Sequence, residues 1–391
     1  VTRPFRLAIV AGEASGDALA IRFVEALRER LGARELVMAG VGGQGLTEAG
    51  LAPLFSQADI SVMGFGPVIA RLPLLLRRME DAARGIAAFA PDLLLTIDAP
   101  DFSLRVAKKL RRRASTIPIV HWVCPSVWAW RPGRARRMAP HVDRILALLP
   151  FEPAALARLN GPETIYVGHP LIERLGELRP DAAEAAQRAD VGHPLVLILP
   201  GSRRSEINHL LPVFGATVAR VSAALPGARF VLPAVFHLAS HIGEITAQWP
   251  VRPEIVTGEA AKLAAFRSAR AALAASGTVT LELALAQVPT VAAYRGANWE
   301  AALARRLITL PSVILPNLIL GRSVVPEFIQ EMVTAQALSG YLLAALAEGP
   351  ARNSQISGFA EVEAIMAAAG ASPARNAVSA ALALLDRPAQ A

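Results

Sequence analysis

The sequence predicts an α/β protein made of two Rossmann-like halves, each a parallel sheet with helices on both faces. Three observations carry this. Short apolar runs alternate with helical patterns over residues 7–159, the arrangement that gives a parallel sheet covered on both faces. The alternation stops over 170–190, which is polar, Ala-rich and marked by Pro170 and Pro180. It resumes at residue 195, and 391 residues are enough for two domains of ordinary size.

In the first half, residues 7–10, 36–39, 93–97, 117–123 and 144–148 read as strands, because short apolar runs match strands buried on both faces. Helices are expected over 15–31, 72–89, 103–113 and 152–159. In the second half, 195–199, 229–232, 254–256, 271–275 and 290–293 read as strands, with helices over 205–225 and from Thr278. From 334 onward strand runs cease, and 334–347 and 376–386 read as Ala/Leu-rich helices. The expected organisation is a first domain at 1–169, a connection at 170–190, a second domain at 191–333 and C-terminal helices at 334–391 that either pack back on the first domain or are exchanged in a dimer.

Composition narrows the function classes. Hydrophobic residues make up 53% and charged residues 18%, so the chain can bury large cores and is not disordered. Mean hydropathy is +0.40, yet no run approaches the ~18 uninterrupted apolar residues that span a bilayer. Residues 1–31 read as a strand and helix of the fold rather than a signal peptide, so a cytoplasmic chain is expected. Cys124 is the single cysteine, which excludes an intrachain disulfide and reads as a buried structural thiol. The net charge of +8 is nearly all arginine, with lysine only at 108, 109 and 262. That balance suits nucleic acid, an anionic membrane or phosphorylated substrates.

The richest stretch is 93–102, where an apolar strand delivers Asp98-Ala99-Pro100-Asp101. In an open α/β sheet, chemistry lies beyond the carboxyl ends of the strands, so Asp98 stands where a general base belongs. Asp101 either caps the next helix or supports Asp98. Gly12-Glu13-Ala14-Ser15-Gly16-Asp17 follows the first strand. Glu13 and Asp17 would repel a pyrophosphate, so this loop suits sugar hydroxyls, with Ser15 a helix cap. Gly40-Val41-Gly42-Gly43-Gln44-Gly45 matches the dinucleotide fingerprint in letters, with Asp59 downstream. It follows the second strand and opens no long helix, so it does not meet the structural context of that motif.

In the second half, Pro200-Gly201-Ser202-Arg203-Arg204 opens a helix after a strand. Gly201 permits close approach, Ser202 and the free amides favour an anion, and Arg203 adds a charge-assisted bond. Ser276-Gly277-Thr278 makes a second such turn, with Glu282 placed to accept from ribose hydroxyls. Together the two turns describe a nucleoside-diphosphate pocket. Trp128 and Trp130 line a wall or brace an interface, and His121 and His169 rank second as acid/base groups. No cluster has metal-ligand spacing, so neither metal nor cofactor is expected. Over 65–84, Phe65, Val68, Ile69, Leu72, Leu74, Leu75 and Leu76 are flanked by Arg77 and Arg78. This suits either an interfacial membrane segment or a core helix with a basic face.

These blocks resemble the lipid-A-disaccharide synthase family over most of the chain. The resemblance is carried, in order, by Ala11 to Asp17, Val62-Met63-Gly64, Ile97 to Phe102, Pro125-Ser126-Val127-Trp128-Ala129-Trp130-Arg131, Leu149-Pro150-Phe151-Glu152, Gly168-His169-Pro170, Leu199 to Arg203, Ala275 to Thr278, and Leu315-Pro316-Asn317-Leu318. It implies a GT-B fold, two Rossmann-like domains with a cleft between them. It implies an inverting transfer of 2,3-diacylglucosamine from UDP-2,3-diacylglucosamine to the 6-hydroxyl of 2,3-diacylglucosamine 1-phosphate. The products are a β-1′,6-linked disaccharide and UDP. Asp98 matches the family's proposed base, and Asn317 a position near the nucleotide. Family members work at the inner membrane surface rather than on nucleic acid. Some form homodimers with exchanged C-terminal segments. Cys124 stands where Ser is expected, and Gly42-Gly43-Gln44 departs from the family pattern. The competing expectations are another GT-B enzyme using a UDP-N-acetylglucosamine-type substrate, and a binding module with a degenerate site, against which Asp98 and Arg203 both stand.

Overall fold

Two parallel sheets organise the chain. The computed structural model describes residues 3–60, 71–114, 116–296, 312–370 and 372–386. Its compact units are Val1–Pro170 with Ala369–Ala391, and Leu171–Ala368.

The first unit holds strands β1 (Phe5–Ala11), β2 (Leu36–Val41), β3 (Leu51–Pro53), β4 (Leu93–Ile97), β5 (Ile119–Trp122), β6 (Arg144–Ala147) and β7 (Glu163–Tyr166). They lie in the order β3-β2-β1-β4-β5-β6-β7, all parallel. Its helices are α1 (Ala14–Leu31), α2 (Gln44–Glu48), α3 (Leu72–Phe89), α4 (Pro100–Arg113), α5 (Val127–Trp130), α6 (Gly133–Met138) and α7 (Glu152–Arg158). Alternate strand residues feed two cores. Ala8, Val10 and Leu94 pack with Leu75, Met79 and Ile86 of α3 and Val106 and Leu110 of α4. On the other face, Leu7, Ile9, Leu95 and Ile97 pack with Phe23, Val24 and Leu27 of α1. The strand order reverses between β1 and β4. Ligand crevices of open α/β sheets form at such a switch point, and here the loops at 12–17 and 98–101 flank it.

The second unit holds α8 (Leu175–Leu178), α9 (Ala182–Ala189), β8 (Leu195–Leu199), α10 (Arg204–Ala224), β9 (Arg229–Ala234), α11 (Ala239–Thr246), β10 (Glu254–Thr257), α12 (Glu259–Ser268), β11 (Ala271–Ala275), α13 (Val279–Leu285), β12 (Thr290–Tyr294), α14 (Leu315–Leu320), β13 (Glu327–Ile329), α15 (Ala335–Leu346) and α16 (Pro350–Ala367). The order β10-β9-β8-β11-β12-β13 reverses between β8 and β11. The loops after those two strands are the 200–203 and 276–278 turns.

Several expectations are corrected. The segment 170–190 is not a bare connection, because α8 and α9 are built into the second unit. Asp181 and Glu184 form a capping box on α9, and the Arg188 guanidinium donates to the carbonyls of Phe266, Arg267 and Ala286 at 2.8–3.0 Å. The C-terminal stretch from 334 divides. α15 and α16 belong to the second unit, and α17 (Pro373–Leu382) to the first, where Ala374, Ala377, Val378 and Ala381 are buried against the α1 side of the sheet. The Asn376 amide there donates to the Val167 carbonyl at 3.0 Å. The helix expected at 103–113 begins at Pro100, since proline suits the first helical turn. Among the described residues, no helix is long and apolar enough to cross a membrane.

Candidate active site

At the first switch point, β4 ends and the backbone turns abruptly. Asp98 and Ala99 both adopt left-handed conformations, φ 49° and 41°. Two such non-glycine residues in succession store strain of about 1–3 kcal/mol each. The next strand ends in the same way, with Val123 at φ 76°, a conformation strongly disfavoured for a β-branched residue. Backbone bonds hold both turns: Asp98 N–H donates to Trp122 O at 3.0 Å, and Val123 N–H to Leu146 O at 3.1 Å. Asp98 is half-buried, and no hydrogen bond or ion pair to its carboxylate is found among the described residues. Strain concentrated at adjacent strand ends beside such an acid marks a site built for a task other than stability.

The 12–17 loop lies against this turn because its glycines allow it. A Cβ on Gly12 would stand 2.7 Å from that of Ala99, and one on Gly16 3.5 Å from the Ile97 carbonyl oxygen. Glu13 caps α1 through its extended backbone, without a side-chain bond, and Ser15 is exposed in the first turn. Asp17 is buried and accepts from Gly43 N–H at 2.6 Å. Gln57 adds a clamp, its amide donating to the carbonyls of Ala11 at 3.0 Å and Glu13 at 3.4 Å. Asp17 therefore braces the loop.

The glycines at 40–45 have packing reasons of their own. Gly40, at φ 153°, has no room for a Cβ against the Ile9 backbone, and a Cβ on Gly43 would strike Asp17. The five-residue α2 follows, and Asp59 is paired with Arg78 at 2.7 Å. Gly42, Gly43 and Gln44 line a cavity with Thr47 and Gln57, but the long helix that the dinucleotide fingerprint requires does not follow them.

Asp101 does not cap α4. Ala99 is the N-cap, and Asp101 is exposed and paired with Arg134 at 3.0 Å. Trp128 turns its indole N–H to Glu152 at 3.2 Å and meets Phe151 edge-on at 4.9 Å. The buried Glu152 carboxylate also accepts from Leu149 N–H at 3.0 Å. Burial pushes Glu152 up to about 7, partly offset by those bonds. Glu152 was not among the expected site residues, although an acid just beyond the 144–148 run, at the same carboxyl end of the strands as Asp98, is a visible signal. Cys124 beside it is buried, and desolvation raises its thiol far above the usual range, so it stays a thiol. Burial lowers His121 to about 3 and His169 to about 4. Both are neutral at neutral pH, and His121 bonds Thr96 at 2.8 Å.

At the second unit's switch point, Gly201 adopts φ 106° and Glu206 folds back over it. The Glu206 carboxylate accepts from Ser202 N–H at 3.2 Å, Arg203 N–H at 3.3 Å and the Arg203 guanidinium at 2.6 Å. The amides and cation expected to meet a phosphate are thus drawn to one point, which an internal carboxylate occupies. Ser276 is half-buried, with Gly277 and Thr278 exposed at the start of α13. Glu282 pairs with Lys262 at 2.5 Å.

Asn317 requires correction as a nucleotide contact. It is 3% exposed, and its amide is saturated internally. It donates to Ser312 Oγ and Val325 O, and accepts from Val324 and Val325 N–H at 2.9 Å each. Asn317 braces the loop that leads into β13.

The apolar segment also divides. Phe65, Val68 and Ile69 lie outside the described residues. Leu75 faces the core and so is not a surface contact, whereas Leu72 and Leu76 are each 44% exposed. Leu74 is half-buried and Arg77 exposed, and Arg78 is held by Asp59 and Asp81.

Two parallel sheets with loop sites at each switch point define the GT-B class, the fold of many nucleotide-sugar glycosyltransferases. Solved structures agree on the fold. MurG from Acinetobacter baumannii matches with TM-score 0.59 at 11% identity, over 97% of this chain and all of that one. CalG4, the calicheamicin glycosyltransferase, gives 0.59 at 15% identity over 99% of this chain and all of that one. The family model for LpxB, lipid-A-disaccharide synthetase, matches residues 7–378. The lipid-A-disaccharide synthase of Nitrobacter winogradskyi is 50% identical over 95% of this chain and 93% of its own length. That of Rhodopseudomonas palustris strain HaA2 is 48% identical over 98% and 97%. The chain belongs to the lipid-A-disaccharide synthase family.

Proposed function

We propose that the protein transfers 2,3-diacylglucosamine from UDP to the 6-hydroxyl of 2,3-diacylglucosamine 1-phosphate, with inversion. The observation that carries the reading is Asp98, a carboxylate without a partner among the described residues on a strained turn at the first switch point. An inverting transfer needs one base to take the hydroxyl proton as oxygen attacks the anomeric carbon. Asp98 is that base, supported by the neighbouring Glu13 and Ser15, with Asp17 holding their loop and Asp101 holding Arg134.

Charge develops on the departing UDP. Arg203, Ser202 and the backbone amides after Gly201 stabilise it, as oriented donors do for any leaving anion. Glu206 holds these donors in place until the diphosphate displaces its carboxylate. Ser276, Gly277, Thr278 and Glu282 form the rest of the nucleotide pocket. Leu72 and Leu76, with Arg71 and Arg77 exposed beside them, suit contact with an anionic inner-membrane surface, where both acylated substrates reside.

The test is incubation with UDP-2,3-diacylglucosamine and 2,3-diacylglucosamine 1-phosphate. Stoichiometric disaccharide 1-phosphate and UDP are expected. Turnover of a soluble UDP-sugar with no lipid product would overturn the reading in favour of a UDP-N-acetylglucosamine-type enzyme.

A further inference from the structure

The first unit also holds a cavity lined mainly by cations. It has a volume of about 250 Å³ and lies between α4 and α6. Asp101, Arg105 and Lys108 share one face of α4 at spacings of four and three, while Arg134 and Arg137 come from α6 and Arg131 from the turn before it. Leu104, Met138 and Val142 make the apolar part of the lining.

Five cations therefore converge on one small space that contains a single carboxylate. That carboxylate, Asp101, is taken by Arg134. The Arg131 guanidinium is set against the Trp130 ring, 4.0 Å from its centroid. Arg105 and Lys108 have no carboxylate partner among the described residues. Like charges are gathered at a cost unless something opposes them, and two or more guanidinium forks with an ammonium suit a compact dianion. His141 completes the wall. Its Nδ1 is buried without a well-formed hydrogen bond, and burial together with the Lys108 charge depresses its protonation.

The position is informative. α4 begins directly after Asp98 and Ala99. At about 1.5 Å of rise per residue, Arg105 lies roughly 7–8 Å up the helix from Pro100, which follows Asp98 and Ala99 directly. That is of the order of a hexose carrying a phosphate.

We propose that this cavity is a phosphomonoester site that seats the 1-phosphate of the acceptor glycolipid while Asp98 addresses the 6-hydroxyl of the same sugar. The assignment rests on the reading of the chain as a transferase to a phosphorylated acceptor. The pocket itself can be judged without that reading.

The whole protein is titrated with glucosamine 1-phosphate while the His141 ring is followed by NMR. A bound phosphate is expected to raise the His141 pKa, and Arg105→Ala with Arg137→Ala to abolish the response. A silent His141 overturns the site. Kinetics then identifies the occupant, using the acceptor with and without its 1-phosphate. Arg105→Ala and Lys108→Ala are each expected to raise KM for the phosphorylated acceptor about tenfold, the worth of one charge-assisted bond. The donor KM should stay constant, and the preference between the two acceptors should narrow. Equal losses on both acceptors overturn the assignment. So does weaker retention on phosphatidylglycerol vesicles with acceptor preference intact, which would assign the pocket to a lipid headgroup. A wild-type protein that makes no disaccharide refutes the transferase reading, and the His141 titration still decides the pocket.

Discussion

Asp98 and Arg203 have separable jobs, and their variants should fail in different ways. Asp98→Asn keeps the size and polarity of the side chain but removes the base. Turnover is expected to vanish while UDP affinity, read by calorimetry, stays within about twofold of wild type. Arg203→Ala is expected to weaken UDP binding by roughly 1.5–3 kcal/mol, as for a bond to a charged group. Full turnover in the asparagine variant would move the base elsewhere. Glu152 carries a different signature. Its folded pKa of about 7 lies above the ordinary 4.5, so the folded state binds this proton more tightly than the unfolded chain does. Its contribution is full below about pH 4.5 and is lost as pH rises through 7. Glu152→Gln is expected to flatten that slope in denaturant unfolding across the same window. The buried His121 and His169 work with the opposite sign. Their folded pKa values lie below 6.5, so stability present above that pH is lost on acidification. Asp98 was legible because an acid after an apolar run is a positional signal. The saturation of Asn317 was not, because its four partners come from Ser312 and from Val324 and Val325, and nothing in a local pattern records that closure.

Edge strands explain most of what the elements concealed. The expected strands over 93–97, 195–199 and 271–275 match β4, β8 and β11, all central and buried throughout. The three strands that were not expected, β3, β7 and β13, each lie at the edge of a sheet. An edge strand is half-exposed, so it needs no continuous apolar run; Leu51-Ala52-Pro53 even ends in proline, which an edge tolerates. α3 makes the complementary point. Its extent, 72–89, was legible from composition, but its facing depends on phase. Leu75, Met79, Ala82 and Ile86 recur at helical spacing and enter the core, which leaves Leu72 and Leu76 outside. Leu72→Ser with Leu76→Ser is accordingly expected to lower binding to anionic vesicles with an unchanged melting temperature. Leu75→Ser is expected to cost about 2–5 kcal/mol of stability, the price of emptying a core leucine site. Vesicle binding unaltered in the folded double variant would reject the surface role.

At the scale of the molecule, the two sheets place their chemistry-bearing loops by one rule. Each reverses strand order once, between β1 and β4 and between β8 and β11, and the loops at 12–17, 98–101, 200–203 and 276–278 lie at the reversals. The rule was readable in advance because strand-to-helix turns with Gly, Ser, Asp and Arg are recognisable one at a time. The return of the chain to its first unit was one of two alternatives the C-terminal helices left open, and which helix returns was not readable, since α17 is Ala-rich and amphipathic like α15 and resembles a helix of either unit. That return has a consequence for biogenesis. The nascent chain emerges N-terminus first, and domains tend to fold as they appear. The first 170 residues leave the ribosome without α17, so the α1 side of their sheet stays uncovered where Ala377, Val378 and Ala381 will sit. The second unit, contiguous in sequence, can finish folding before the first one does. α17, made after the second unit, thus sets the earliest moment at which the unit bearing Asp98 is complete.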